Sequence, residues 1–267
     1  MAKETKRERI IREMKEKIKV AYKPRDILLV FGENTIRDIE KSNNLLFEKL
    51  NEWYSIYFPE LKLEDRVKYC KLVLAIDKEK MEENRAKIKE IMGEKGEEVY
   101  KRLQNSSGID LTSKDLESIR ELASTILTLI KEQQEKEAYV EGIAREVCPN
   151  TAEVAGPRVA AKLIAHVGGL EKLAKLPSST VQVLGAEKAL FKHLKRKTKP
   201  PKHGIIFQHS SIHSAPKDQR GKIARALSAQ ISIAAKVDTY GKRFIGKELR
   251  EKFENRVKEI TKSVKTD

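Results

Sequence analysis

Two long stretches of the sequence repeat apolar residues at alternating intervals of three and four, which is the spacing of a coiled-coil seam. The first stretch ends at Pro59, and the second lies between Thr112 and Pro149. Only long helices keep such a spacing on one face, so the pattern predicts two of them. The seam positions are Leu29, Gly32, Ile36, Ile39, Asn43, Leu46, Leu50, Trp53 and Tyr57 in the first stretch and Leu116, Ile119, Ala123, Ile126, Ile130, Gln133, Glu137, Val140, Ala144 and Val147 in the second.

The two seams are of comparable length, so we expect an antiparallel pair of helices over residues 25–148. The connecting insertion, residues 60–110, is predicted to form short helices near 64–76, 78–92 and 94–104. Residues 1–24 are almost all charged and are interpreted as a solvated helix or linker. Residues 149–267 follow as a compact helical domain. The predicted fold class is all-α: a long antiparallel coiled coil with a capping insertion, followed by that domain.

Local signals refine this outline. The pairs Thr112 with Asp115 and Asn150 with Glu153 each resemble a capping box at a helix start. Further boundary signals predict a helix stop at Gly168–Gly169, a start at Ser179 to Gln182, and helices near 217–237 and 246–264. The segment Gly204–Gln208 alone is expected to be extended.

The second seam is wider than one partner helix requires, because Leu127 and other leucines lie beside its main stripe. We therefore expect a homodimer through the coil; the alternative is an intramolecular hairpin with one wide core face. The predicted dimerisation residues are Leu122, Ile126, Leu129 and Ile130.

Positive charge is confined to one half of the chain. From residue 151 on there are 25 Lys and Arg against 10 Asp and Glu, which equals the whole net charge of +15, and residues 1–150 are neutral. Between Glu187 and Asp218 the sequence has no acid, but it has eight Lys or Arg and four of the five histidines. A field concentrated in this way is typical of a site for a polyanion such as a phosphate backbone.

Other function classes are disfavoured. Cys70 and Cys148 are lone thiols, which suits a reducing cytoplasm. The charged N-terminus does not resemble a signal peptide, and no apolar run is long enough to cross a bilayer. Phosphate-binding loops, dinucleotide-binding glycine motifs and hydrolase motifs are absent from the sequence, so we expect a non-catalytic protein without cofactor or metal.

Residues 185–225 contain the candidate interface. Lys188, Lys192, Lys195 and Arg196 are spaced so that a helix places them on one face, where an anion would relieve their repulsion. Gly185 and Ala186 permit close approach of a backbone. His203 and His209 are candidates for stacking on unpaired bases, and Gln208 for reading a base edge. The remaining candidates are Glu187, Lys199, Lys202, Arg220, Lys222 and Arg225, the last three at the start of a helix whose amides could bind phosphate.

Several of these residues admit a plainer interpretation. His209 and His213 could form a metal pair, but no Cys or acid accompanies them. Glu187 is interpreted as a cap or an internal ion-pair partner rather than a general acid, and His166 as a packed or partner-facing histidine. Four residues are expected in the core: Phe191, Ile205, Ile206 and Phe207.

The segment Gly185-Ala-Glu-Lys-Ala-Leu-Phe191 resembles the Nop-domain family, as do Pro200-Pro-Lys-His-Gly-Ile-Ile-Phe-Gln-His209 and Arg220-Gly-Lys-Ile-Ala-Arg225. The similarity extends over about residues 25–258 and includes Pro149-Asn-Thr and Ala234-Ala-Lys-Val-Asp238. Within the family, the chain is similar to the core scaffold proteins of archaeal box C/D small ribonucleoproteins.

This resemblance implies a homodimeric, non-catalytic scaffold that binds box C/D guide RNA at a kink-turn together with a ribosomal-protein-like partner. It also implies guide-directed 2′-O-methylation of ribosomal or transfer RNA by fibrillarin, in an archaeal cytoplasm. Family members recruit fibrillarin through a further N-terminal domain. The chain opens within about 25 residues of the coil, so we expect that domain to be missing and fibrillarin to bind only if it is present. In residues 197–199, Lys-Thr-Lys replaces the glycine-containing turn that the family pattern predicts.

Two rival hypotheses remain open. The segment 155–177 resembles a helix-hairpin-helix, whose glycine turn holds a DNA phosphate, and the chain could be a spliceosomal-type Nop protein. A purely structural coiled-coil adaptor is a further alternative, although it leaves the confinement of the positive charge to one half unexplained.

Overall fold

A computed structural model describes residues 25–241 and 243–262, together with Arg7, Arg9, Ile11, Met14 and Lys15. The prediction for residues 1–24 therefore lies largely outside the described residues. The described chain is all-α and contains no strand. It divides into two compact units, Ile36–Glu135 (the central unit) and the residues on either side of it (the basic unit), with both boundaries inside long helices.

The long seam helices are α1 (Asp26–Tyr54) and α5 (Ser113–Val147). Between them lie α2 (Arg66–Ala75), α3 (Met81–Met92) and α4 (Gly96–Gln104), close to the three predicted ranges. The basic unit continues with α6 (Pro149–Ala155), α7 (Pro157–Val167), α8 (Leu170–Ala174), α9 (Ser178–Val183), α10 (Glu187–Arg196), α11 (Ser210–His213), α12 (Arg220–Tyr240) and α13 (Gly246–Lys262).

The seam positions are buried or half-buried, as the spacing predicted, with one exception. In the central unit, Leu50 of α1 shares a core with Ile119 and Ala123 of α5, and in the basic unit Gly32 closely approaches Val140. This order of contacts is that of an antiparallel pair.

The exception is Trp53, which is 45% exposed because Tyr54 takes the buried position instead. Helix α1 ends at Tyr54, and a short turn, rather than helix, leads to Pro59.

The predicted dimerisation residues belong mainly to the chain's own core. Ile126 is fully buried in the core of the central unit, and Leu122 and Ile130 pack against that core. Leu129 is half-buried. Ile126 therefore cannot contribute surface to a second chain. The large apolar side chains that α1 exposes in this unit are Leu45 and Trp53.

The two capping predictions had opposite outcomes. The Thr112 hydroxyl accepts a hydrogen bond from the Asp115 amide at 3.3 Å and donates to the Asp115 carboxylate at 2.5 Å, so Thr112 caps α5. The prediction for Asn150 is wrong, because Asn150 already lies in the first turn of α6. Its side chain donates to Asp238 Oδ1 at 2.8 Å and accepts from the Ile245 amide at 2.6 Å.

Asp238, at the far end of α12, closes the N-terminus of α6. Its carboxylate accepts hydrogen bonds from the backbone amides of Asn150 and Thr151 at 3.0 and 2.8 Å, and from the side chains of the same two residues. Helix α12 also packs against α8, α9 and α13, which makes it the central helix of the basic unit. We refer to Asn150, Thr151 and Asp238 as the α6 clamp.

Candidate nucleic-acid interface

Helix α10 carries the four predicted cations, and none of its residues is buried. Lys188, Lys192, Lys195 and Arg196 are all exposed, and no described carboxylate lies within ion-pair distance of them. The helix therefore presents a row of positive charges that the described part of the chain leaves uncompensated. Such a row favours an anionic partner laid along the helix.

The apolar side of α10 faces solvent as well, which corrects the expectation that Phe191 is a core residue. Phe191 is 62% and Leu194 is 68% exposed, whereas Leu190 is half-buried. A short helix gains little stability from its own hydrogen bonds, and α10 has no buried residue to stabilise it, so its exposed surface is a candidate for contact with a partner.

The start of α10 is held by Glu187. Its Oε1 atom accepts from the Gly185 amide at 2.7 Å and lies 2.7 Å from His166 Nε2. Partial burial raises the pKa of the Glu187 carboxyl, but the hydrogen bonds from Gly185, from the backbone of Glu187 itself and from His166 outweigh it, so the pKa is lowered overall. Glu187 thus acts as the expected internal partner, and His166 is its counterpart.

Gly185 and Gly204 allow the segment just before α10 to pack tightly against the loop at residues 203–205. Gly204 and Ile205 donate backbone hydrogen bonds to Gln182 and Leu184 at 3.0 and 2.7 Å. A Cβ atom on Gly204 would lie 1.9 Å from the Leu184 carbonyl oxygen, and Gly185 has a φ of +86°. Only glycine tolerates this approach, which explains its presence at both positions.

The segment expected to be extended is a 3₁₀ turn, Ile205–Gln208. Hydrogen bonds from Phe207 to Gly204 and from His209 to Ile206, both 3.0 Å, close the turn. Ile206 is fully buried as predicted, but Ile205 and Phe207 are only partly buried.

His203 keeps one ring face on Phe207, with 4.4 Å between ring centroids and an interplanar angle of 13°. Burial lowers the pKa of His203, and the nearby charges of Arg220 and Lys202 lower it further. A neutral ring already stacked on one aromatic side chain is a suitable platform for an unpaired base on its other face.

Arg220 and His209 are less available than predicted. The Arg220 guanidinium lies over Phe207 at 5.2 Å and donates to the carbonyls of Ala215 and His213 at 2.8 and 3.2 Å. His209 packs edge-on against Phe253 at 5.4 Å and caps α11, and burial lowers its pKa. Both side chains support the loop rather than project from it.

The other candidate residues of the loop are exposed, but two of them already make hydrogen bonds within the chain. Gln208 accepts a hydrogen bond from Lys162 at 2.7 Å, and Lys202 donates to the Lys217 carbonyl at 3.0 Å. Lys199 is exposed, and Lys197 ends α10 with a φ of +52°. The stretch 197–199, where the family pattern predicts a glycine-containing turn, thus begins with a left-handed residue.

The start of α12 does not offer the free amides that the sequence suggested. A turn from Pro216 to Gln219 precedes the helix, and the amides of Arg220 and Lys222 donate to Pro216 and Gln219. Lys222 and Arg225 are exposed on this helix, on a different element from the α10 cations.

Sequence reasoning missed Lys162, which joins the interface through Gln208, because it lies 46 residues away in an ordinary helical pattern. It also gave Asp238 no role, although Asp238 stands in a segment that resembles the family. No local signal shows that this carboxylate caps a helix 88 residues earlier.

The helix-hairpin-helix interpretation meets a specific obstacle at its glycine turn. The amide of Leu170, which follows Gly168–Gly169, donates to Asp26 Oδ2 at 2.9 Å. A carboxylate of the chain therefore occupies the position that a DNA phosphate would need. This geometry disfavours DNA binding at the turn.

The described residues also exclude two other kinds of site within that part of the chain. None of the described helices is long and apolar enough to cross a membrane. Among the same residues, no three His, Cys, Asp or Glu side chains are grouped so that they could hold a metal ion.

Comparison with known proteins gives consistent matches. The chain is 42% identical over 249 residues to an uncharacterized NOP5 family protein of Methanocaldococcus jannaschii, and 34% identical to nucleolar protein 56 of Caenorhabditis elegans. Each match covers 92% of this chain, which spans 60% of the first relative and 53% of the second.

Among solved structures, a crystal structure of a fibrillarin/Nop5p complex aligns with a TM-score of 0.56 and 25% identity, covering 94% of this chain and 78% of that one. The profile of the Nop family, described as snoRNA binding domain, fibrillarin, matches residues 35–259. This match includes α10, Gly185, Gly204 and the α6 clamp, and it shows that the chain belongs to the Nop family.

Proposed function

We propose that this protein is a non-catalytic scaffold that binds box C/D guide RNA through α10 and the adjoining loop. The observation that carries the proposal is the row of four exposed cations on a helix with no buried residue and no described carboxylate partner. The snoRNA-binding description of the family supports RNA as the anion.

The bound RNA is a kink-turn already held by a small ribosomal-protein-like partner. Phosphates lie along the α10 cations, and an unpaired base stacks on the face of His203 opposite Phe207. Phe191 and Leu194 supply apolar area beside the charges, which a surface made of RNA and protein together uses better than RNA alone. The particle serves 2′-O-methylation of ribosomal or transfer RNA in an archaeal cytoplasm, with fibrillarin as the methyltransferase; the match to a fibrillarin/Nop5p complex supports that partner.

A second copy of the chain binds through the coil. Because Ile126 is buried inside the chain, the dimer face in the central unit includes the exposed Leu45 and Trp53 instead. Sedimentation at tens of micromolar distinguishes the states, since an ordinary micromolar affinity gives mostly dimer there. A monomer at that concentration contradicts the dimer.

The central test is assembly on kink-turn RNA by the double variant Lys192→Ala with Arg196→Ala. We expect affinity for the preformed complex of RNA and partner protein to fall about tenfold or more, because each charge-assisted contact contributes about 1 kcal/mol or more. If about six cations contact phosphates, wild-type affinity falls by about a thousandfold between about 50 and about 200 mM salt.

The matched control is Lys71→Ala with Lys89→Ala, which removes two exposed charges from the central unit. It should assemble like wild type. Equal losses in both variants, or no loss in either, contradict an interface on α10. Equal affinity of the wild type for naked kink-turn RNA and for the preformed complex contradicts the shared RNA–protein surface.

A further inference from the structure

The hydrogen bond between Lys162 and Gln208 fixes which end of the Gln208 amide faces outward. The Lys162 ammonium donates to Gln208 Oε1 at 2.7 Å. An ammonium group donates hydrogen bonds and cannot accept them, so the amide atom that it contacts must be the carbonyl oxygen. The reversed orientation would place the N–H donors of Nε2 against another donor. The Nε2 group, with its two N–H donors, is therefore the part of Gln208 that is left for a ligand.

Lys162 is itself held in place within the basic unit. It is half-buried on α7, and its charge acts on the carboxylate of Glu33, which is only 8% exposed. Burial raises the pKa of Glu33, and the charges of Arg158 and Lys162 oppose that rise. Arg158 bonds Glu33 and, at 3.1 Å, Glu137 as well. The Lys162 ammonium is thus attracted to a buried, anchored carboxylate while it donates to Gln208, and both interactions oppose its rotation.

The backbone of Gln208 is held by the 3₁₀ turn that it ends. Ile206 of this turn is fully buried, and the His209 amide donates to the Ile206 carbonyl at 3.0 Å. Gln208 itself is exposed, and none of the residues that the structure describes accepts a hydrogen bond from its Nε2 atom. A side chain that is fixed at both ends and keeps two unused donors is pre-organised for a ligand that offers an acceptor.

A side chain that presents only donors distinguishes the two pyrimidine bases by one exocyclic group. Uracil carries a carbonyl oxygen at C4, where cytosine carries an amino group. This group lies opposite the glycosidic bond, so it is the part of the base farthest from the ribose. The carbonyl accepts from Gln208 Nε2, whereas the amino group meets it donor to donor. Oε1 does not rescue cytosine, because an amino group that approaches this atom meets the positive charge of Lys162.

We infer that Lys162 is a specificity-determining residue: it holds Gln208 as a hydrogen-bond donor, so the loop prefers an unpaired uridine over a cytidine. His203 supplies the stacking face, and Gln208 reads the C4 group. Lys162 acts through Gln208 and is a positioning residue that need not contact the RNA. This inference rests on the proposed RNA binding and deepens it by naming the base that the loop prefers.

A backbone carbonyl of a protein partner could accept from Gln208 Nε2 as well. A base fits better, because the same loop holds the ring of His203 stacked on Phe207, with 4.4 Å between ring centroids. A planar base uses this aromatic face and the donor together, whereas a peptide carbonyl uses only the donor. The combination of a stacking ring and a fixed amide therefore favours a nucleotide.

The test compares the affinities of the full chain for two labelled strands, oligouridylate and oligocytidylate, each of about ten nucleotides. At neutral pH and about 50 mM salt, the positive charge of the basic unit binds either strand. The two strands carry equal charge, so the ratio of the affinities reports the base alone. Fluorescence anisotropy should show that the wild type binds oligouridylate about fivefold more tightly, which corresponds to about 1 kcal/mol, the value of one hydrogen bond.

Gln208→Glu should reverse this preference. The substitution replaces Nε2 by a carboxylate oxygen in a side chain of the same shape, so the group that faces the base accepts instead of donating. The added negative charge lowers the affinity for both strands, but the amino group of cytidine now has an acceptor. We expect the ratio to favour oligocytidylate by up to about fivefold. A ratio that still favours oligouridylate would show that Gln208 does not read the base.

Substitutions of Lys162 separate positioning from charge. Lys162→Met removes the ammonium and keeps the length of the side chain, so the Gln208 amide presents either end and the ratio should fall to about one. Lys162→Arg restores a side chain that only donates and should restore the wild-type ratio. The control Lys172→Met removes an exposed charge on α8, elsewhere in the basic unit, and should leave the ratio unchanged.

Two further results overturn the inference: equal wild-type affinities for the two strands, and a wild-type ratio in Lys162→Met. Failure of the proposed function looks different. If Lys192→Ala with Arg196→Ala loses assembly on kink-turn RNA while the wild type does not distinguish the strands, RNA binding at α10 stands and only the base preference is wrong. If that double variant assembles normally while the ratio depends on Lys162, the α10 interface is wrong and the loop stands as the RNA site.

Discussion

Helices α6 and α10 are both short, both lie in the basic unit and both begin in segments that resemble the Nop family, yet they are held in opposite ways. Five of the seven residues of α6 are buried, and Asp238 closes its N-terminus with four hydrogen bonds. Helix α10 has no buried residue and is anchored at its start by Glu187. Family resemblance therefore marks buried residues that build the fold as well as residues that stay exposed, and only burial distinguishes the two.

The largest effect is expected at the α6 clamp. Asp238→Ala removes the acceptor for two amides and two side chains, and we expect a loss of about 3–5 kcal/mol in the free energy of unfolding. Denaturant unfolding followed by circular dichroism measures this change. The double variant Lys192→Ala with Arg196→Ala on α10 serves as the contrast and should stay within about 0.5 kcal/mol of wild type. Similar losses in both variants would show that α6 and α10 are not held differently.

The anchor of α10 should respond to acid. Because the pKa of Glu187 is lowered in the folded protein, its contribution to stability is present above the ordinary carboxyl range and is lost as pH falls through the lowered pKa. Amide hydrogen exchange at Gly185, relative to its intrinsic rate, should thus be slower at pH 7 than at about pH 3. Glu187→Gln should remove most of this pH dependence, and an unchanged pH response in that variant would exclude Glu187 as its cause.

The smallest effect is expected where α10 ends. Lys197 has a φ of +52°, a conformation that costs a residue with a side chain about 1 kcal/mol and costs glycine much less. Lys197→Gly should therefore raise the free energy of unfolding by up to about 1 kcal/mol. Thermal unfolding measures it, with Lys195→Gly inside the same helix as a control that should lower stability instead. A loss of stability in Lys197→Gly would contradict the left-handed assignment.

The long helices were predictable because their signal is local and repeated. The helical seam from Ile36 to Leu50 and the helices of the insertion could be predicted from apolar spacing and from the Pro and Gly residues at helix ends alone. The exposure of α10 was not predictable, since Phe191 and Leu194 have the spacing of core residues. The prediction that Asn150 caps a helix failed for a related reason. Asn150 and Glu153 have the spacing of a capping box, but the Asn150 side chain instead donates a hydrogen bond to the distant Asp238 carboxylate. The cations of α10 could be identified from their spacing. The burial of His209 could not, because the ring packs against Phe253, which lies 44 positions later in the sequence.

The contact between Asp26 and the Leu170 amide has one more consequence. The glycine turn between α7 and α8 resembles a phosphate-binding turn. The Asp26 carboxylate, 144 positions earlier in the sequence, accepts a hydrogen bond from the Leu170 amide there. Nucleic acid entering this turn would have to expel a resident negative charge. The Asp26 carboxylate thus acts as an internal counter-ion that disfavours a bound phosphate at this turn.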